Sequence, residues 1–223
     1  MKYIAADNLK KSGRASGNVY MKNNVIRGFR MPANPQTPAQ SVQRSNFGSL
    51  SGDWNDVLTD SQRKAWNNFV LNSFDRLGLP VSVSGKQAYI ELNRNLFNAG
   101  ASAIATPPVG RGPTAPTDLT LTAAAAGPTF TLAWTTGAIP ANTAWLVYAT
   151  TTFTPGTYKP GKSKFKLITV LPAATTTPQT LGTDYAAVFG APVAAGAAFA
   201  RVVAINTLTG FASPGLTARD IVA

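Results

Sequence analysis

The segment Thr106–Pro116, TPPVGRGPTAP, is the feature that most limits what this chain can fold into. Its prolines and glycines propagate neither helix nor central strand, so regular structure must stop before it and start again after it. The two sides also differ in kind. Asn, Gln and Arg are frequent before it, and Ala and Thr dominate after it. A chain of 223 residues has room for two domains of about 100 residues each. The expected class is therefore α+β in two domains. Residues 1–36 form a basic extended arm or hairpin, 37–105 a small, mainly helical module, 106–116 a linker and 117–223 an all-β sandwich.

The helical module is read from punctuation and spacing. Thr37-Pro38 supplies an N-cap and a proline at the first helical position. Phe47, Leu50, Trp54, Val57 and Leu58 then follow at three- and four-residue steps, one face of a helix that Gly48 and Gly52 weaken. Thr59-Asp-Ser-Gln62 is a capping-box pattern, and Trp66, Phe69, Val70 and Phe74 extend a stripe toward a stop at Gly78. Ser84-Gly-Lys-Gln87 repeats the pattern ahead of Tyr89, Leu92, Leu96 and Phe97, with Gly100 as the stop. The helical spacing of Trp54, Trp66 and Phe69 assigns them to a core rather than to a binding platform. Before these helices, short apolar runs around Asn23-Asn24 read as a small hairpin or extended arm.

After the linker the period changes to two. Phe130, Leu132 and Trp134 alternate in TFTLAW, which predicts one buried face of a strand. Further strands are expected at 116–122, 145–150, 165–170 and 196–206, with 210–214 as the last. This half resembles a fibronectin type III or related immunoglobulin-like domain, with Phe199 where that family often places a tyrosine whose hydroxyl ties a corner. The resemblance implies a β-sandwich and no particular activity.

Composition removes several chemistries. There is no cysteine, hence no disulfide or thiolate, and no histidine, the usual general base and commonest metal ligand. Zinc hydrolases and Ser-His-Asp hydrolases are excluded. Gly156-Thr-Tyr-Lys-Pro-Gly-Lys-Ser163 matches the phosphate-loop string, but KFKLITVLP after it reads as strand where that motif needs a helix, so a lysine-rich hairpin loop is expected. Asp53, Asp56 and Asp60 cluster at a helix junction, where acids serve as caps and dipole partners. The expectation is a non-enzymatic protein without metal or cofactor. The start of the chain lacks an apolar run of signal-peptide length, so neither export nor membrane insertion is expected.

Charge points to partners. Residues 1–50 carry eight basic side chains against Asp7, net +7; residues 51–110 balance, and residues 111–223 hold seven basic against three acidic. A cationic arm suits an acidic protein surface or a nucleic-acid backbone. Lys10, Lys11, Arg14, Lys22, Arg27, Arg30 and Arg44 are its candidate partner-binding residues, and the arm is expected to order on its partner. The GRASGNVY start, the NPQTPAQ turn, Arg44–Phe47 and the Trp54–Trp66 run ending QRKAW resemble short proteins of Bacteroidetes genomes and their phages, over about residues 13–97. That resemblance implies a structural virion protein, a capsid decoration or head-neck-tail accessory. Its partners would be other virion subunits (capsid, portal or neck), in a multimeric assembly formed in the host cytoplasm. A host-surface or glycan-binding adhesion module is the alternative, and a nucleic-acid-binding protein using residues 1–50 the second.

Overall fold

The computed structural model describes residues 13–15, 18–20, 26–28, 37–69, 72–74, 80–110, 112–126, 129–135 and 137–223. The chain separates into two compact units, Met1–Ser41 and Val42–Ala223. In the first, β1 (Gly13–Ala15), β2 (Asn18–Tyr20) and β3 (Ile26–Gly28) pair antiparallel in that order. β2 and β3 pair on either side of Asn23-Asn24, where a small hairpin or an extended arm is expected; residues 21–25 themselves lie outside the described residues.

Helix α1 (Pro38–Asp56) starts as its cap predicts, with the Gln40 amide donating to Thr37 Oγ1 at 3.4 Å, and it runs unbroken through Gly48 and Gly52. Leu50, Trp54 and Leu58, four apart, are buried. Phe47 and Val57 are not, at 54% and 68% exposed, and so leave the predicted stripe. Val57 falls in the turn after the helix ends, and Phe47 borders an open groove.

Helix α2 (Asp60–Asn68) and the segment after it correct a second expectation. The capping box forms, with the Thr59 amide donating to Gln62 Oε1 at 2.8 Å and the Gln62 amide to Thr59 Oγ1 at 3.3 Å. The helix stops at Asn68 and Phe69 is extended, so the stripe does not continue to Phe74. Instead β4 (Asn72–Phe74) pairs with β5 (Pro80–Ser82). Aromatic, β-branched and Asn residues in NFVLNSF have low helix propensity, and Asn72–Phe74 pair as strand instead. Val70 and the expected stop Gly78 lie outside the described residues.

Helix α3 (Gly85–Asn98) opens with the second capping box and crosses the end of α2 closely. A Cβ at Gly85 would lie 2.6 Å from the Asn67 amide nitrogen and 2.7 Å from the Trp66 carbonyl carbon. Leu50, Trp54, Leu58, Trp66, Ala88, Tyr89 and Leu92 form the module's core, with Trp66 and Tyr89 edge to face at 5.4 Å, so the tryptophans are core residues. Buried Asn93 pins the following segment to α3. Its side chain accepts from the Ile104 amide at 2.7 Å and donates to the carbonyls of Tyr89 and Ile104.

The linker has neither helix nor strand over its described residues, and Gly112 lies against Phe211 and Ala212. Beyond it stand two antiparallel sheets. One holds β6 (Thr120–Ala124), β7 (Thr129–Ala133) and β10 (Gln179–Thr180) in the order β10-β7-β6. The other holds β8 (Thr143–Ala149), β9 (Lys166–Leu171), β11 (Ala197–Asn206) and β12 (Leu216–Ile221) in the order β12-β11-β8-β9. Phe130, Leu132 and Trp134 face Trp145, Val147, Ala200 and Val202 across the core. This is a three-on-four immunoglobulin-like sandwich.

Three details differ from the sequence reading. The last strand is 216–221, and 210–214 is the connection before it, held by a single bridge between Ile205 and Ala212. The first strand begins at Thr120 rather than Pro116, because a turn with Asp118 at φ 52° precedes it. Helix α4 (Gly182–Phe189) fills the connection between β10 and β11. From it the buried Tyr185 hydroxyl donates to the Thr150 carbonyl at 3.0 Å, so a tyrosine tie exists although Phe199 cannot provide one.

Within Val42–Ala223 the helices and the sandwich touch at the β11–β12 connection. Asn95 Nδ2 donates to the Gly210 carbonyl at 3.0 Å, and the rings of Phe69 and Phe211 lie 6.2 Å apart.

Candidate functional site

The predicted basic residues are only partly placed. Lys10, Lys11, Lys22 and Arg30 lie outside the described residues. Arg14 and Arg27 take register positions opposite Val19, one from each side of β2. Arg44 sits on the exposed part of α1. From Thr37 to Ser49 nearly every described side chain is exposed, including Val42 at 55% and Phe47 at 54%. Beyond the helix's own backbone, no atom of the described residues lies within 4 Å of where a Gly48 Cβ would stand. Phe47 and Ser51 form one wall of a groove of about 690 Å³, with Ile90, Glu91 and Arg94 of α3 on the other.

Asp60 occupies the first turn of α2 and pairs with Arg63 at 2.5 Å, the role its position predicts. Arg63 also donates to the carbonyls of Trp54 and Asn55, which ties α2 to the end of α1. Among the described residues no group of three metal-ligating side chains occurs.

The phosphate-loop string is part of the β8–β9 connection. Lys162–Lys164 form a single 3-10 turn and β9 follows directly, where a phosphate loop would open a helix. The same loop nevertheless builds a cationic cleft of about 400 Å³. Tyr158, Lys159, Lys162 and Phe165 come from the loop, Arg201 from β11, Thr217 and Arg219 from β12, and Gly215 from just before β12.

The cleft follows from strand periodicity. Arg201 pairs with Tyr148 on one side and Thr217 on the other, and Arg219 pairs with Phe199, so all alternate outward from the core residues Ala200, Val202 and Ala218. Arg219 is fixed in place. Its guanidinium donates to the carbonyls of Thr157 at 3.1 Å and Pro155 at 2.6 Å, and it lies 4.9 Å from the Tyr158 ring centre. Tyr158 is 79% exposed. Arg201 is half-buried, and its side chain makes no hydrogen bond or ion pair among the described residues. It lies on Gly215, where a Cβ would stand 2.7 Å from Nη2 and 2.8 Å from Cζ, and nearer still to Nε. Burial pushes the neighbouring Tyr148 phenol above its ordinary value of 10.0, while Arg94 and Arg201 pull it down.

Among the described residues no carboxylate lines the cleft. Asp220 follows Arg219 in sequence but turns to the other sheet, accepting from the Ala123 amide at 2.7 Å. Sequence reasoning identified the lysine-rich loop but not Arg201, Arg219 or Tyr158 as its companions. The available signal was two arginines at outward positions of neighbouring strands, in a half that holds only seven basic residues.

No family model matches the chain, and no curated protein is similar to it in sequence. Solved structures similar to it include a mutant of FN3tt, at 16% identity and a TM-score of 0.31 over 50% of this chain and 97% of that one. An Fn3-like protein from Clostridium thermocellum is similar at 15% identity and a TM-score of 0.30, over 52% of this chain and 96% of that one. The sandwich assignment rests on the strand order and registers given above.

Proposed function

We propose that the chain is a structural, non-enzymatic component of a bacteriophage particle. It acts as a capsid decoration or head-neck-tail accessory protein that docks onto other virion subunits through its basic N-terminal arm and the adjoining part of α1. The observation that carries this reading is the exposed run from Thr37 to Ser49, with Val42 and Phe47 open to solvent beside Arg44. Helices in proteins draw most of their stability from a packed face, and among the described residues of α1 the buried ones, Leu50 and Trp54, fall in its last part. A subunit surface covering Phe47 and the adjacent groove would supply the missing cover, and the +7 charge of residues 1–50 would steer it toward an acidic partner.

The test is incorporation. Purified particles should contain the full chain in many copies by quantitative mass spectrometry. A chain reduced to residues 37–223 should stay soluble and be lost from them, and Phe47→Asp should weaken incorporation of the full chain. Particles that lack the protein, or that take up the shortened chain at full copy number, would refute the proposal.

A further inference from the structure

We infer that the cleft around Arg201 is a binding site for an acidic sugar residue, a uronate or sulfate-bearing unit of a polysaccharide. This site is separate from the assembly role and stands whether or not that role holds. Three features carry it. The first is an available guanidinium: Arg201 is only partly buried, lines the cleft, and its side chain has no protein acceptor among the described residues, so its donors are open to a ligand. It awaits an anion. The second is its company, since Lys159, Lys162 and Arg219 line the same cleft and, among the described residues, no carboxylate does. The third is Tyr158, whose ring carries Arg219 against it and is otherwise largely in solvent. An aromatic platform beside a fork of charged donors matches a sugar ring bearing a carboxylate or sulfate, with the apolar ring face on Tyr158 and the oxyanion on Arg201 and Lys162.

Nucleic acid offers phosphates too, but its sequence-tolerant binding uses a groove that tracks the backbone and stacks successive bases. Here one exposed ring borders one cleft of about 400 Å³, a size suited to a small unit rather than to a strand. Gly215 adds a geometric requirement. An alanine there displaces the Arg201 head without changing the charge of the protein.

The experiment titrates the full-length protein with a sulfated heparin-type hexasaccharide and with an oligogalacturonate, which carries carboxylates alone. Variants are Arg201→Gln, Gly215→Ala, Tyr158→Ala and an arm variant with Lys10, Lys11 and Arg14 changed to Ser. Thermal melts confirm that each is folded. At least one sugar should bind, with affinity falling about tenfold or more for Arg201→Gln, the scale of a lost charge-assisted hydrogen bond. Gly215→Ala and Tyr158→Ala should each weaken it severalfold, and the arm variant should leave it unchanged. Which sugar binds identifies the oxyanion. The inference is overturned if neither sugar binds, if binding survives the cleft variants, if only the arm variant loses it, or if a poly-dT strand occupies the cleft as tightly.

Discussion

Two glycines share a φ of +74° and differ only in what surrounds them, which makes a controlled test of how the helices are joined to the sandwich. Gly100 follows the end of α3, and among the described residues nothing lies within 4 Å of where its Cβ would stand. A Cβ at Gly210 would instead lie 2.9 Å from the Leu92 carbonyl carbon and 3.1 Å from its Cα, with the carbonyl oxygen closer still. Ala at either site bears the left-handed backbone cost, about 1 kcal/mol. Gly100→Ala should cost little more. Gly210→Ala must also lift the β11–β12 connection off α3, because backbone on both sides cannot yield locally. That movement breaks the Asn95–Gly210 hydrogen bond, about 1 kcal/mol, and strips part of the Phe211 packing against Phe69, about 1 kcal/mol more. The expected losses are about 1 kcal/mol for Gly100→Ala and about 3 kcal/mol for Gly210→Ala. Urea unfolding followed by tryptophan fluorescence measures both. If the two variants agree within about 0.5 kcal/mol, the contact at Leu92 contributes nothing and the reasoning fails.

Trp134→Ala should cost about 3–5 kcal/mol, since Trp134 is 4% exposed, packs edge-on to Trp145 at 4.7 Å and donates to the Gly137 carbonyl; calorimetry should show the sandwich transition lowered or lost, and an unchanged melt would contradict its core position. The phenols of Tyr89, Tyr148 and Tyr185 are all raised above 10.0, chiefly by burial, so the folded state favours their neutral forms. Their contribution to stability is full below pH 10 and falls as pH rises through the higher folded values; urea midpoints should be flat on this account up to about pH 10 and decline above it, and a rise there would reverse the sign.

Legibility in the sequence followed the range of the interactions. Both capping boxes were visible because each is completed within four residues, Thr59 with Gln62 and Ser84 with Gln87. The alternation Phe130, Leu132, Trp134 was visible because one face of β7 meets the core. The end of α2 was not, because Phe69 and Phe74 continue an apolar stripe that tertiary pairing of β4 with β5 overrides. The Tyr185 tie was hidden for a related reason: the family position for such a tyrosine is on the strand, and here the hydroxyl reaches Thr150 from α4. For the cleft, sequence showed the loop lysines, but joining them to Arg201 and Arg219 requires the β8–β11–β12 registers.

Those registers also explain why the cleft lies where it does. Strands β8 and β11 are buried on both faces, which a sandwich strand with one solvated face would not be. The outward row on β11 runs Ala197, Phe199, Arg201, Val203, Ile205, and two different covers reach it. At the Ala197 end the β8–β9 connection returns, with Phe153 bridging to Ala197 and its ring 6.2 Å from Phe199. Past the Ile205 end, Leu92 and Asn95 of α3 meet the connection at Gly210. Arg201 stands between the two covers, beside Tyr148, which also feels Arg94 of α3. An apolar residue at 201 would let the covers close over the sheet and add about 25 cal/mol for each Å² of apolar surface hidden. The chain instead holds a guanidinium there, with a glycine beneath it and lysines around it. Arg201→Leu should therefore stabilise the fold while abolishing acidic-sugar binding, and a variant that lost both would mean that Arg201 serves the fold rather than a ligand.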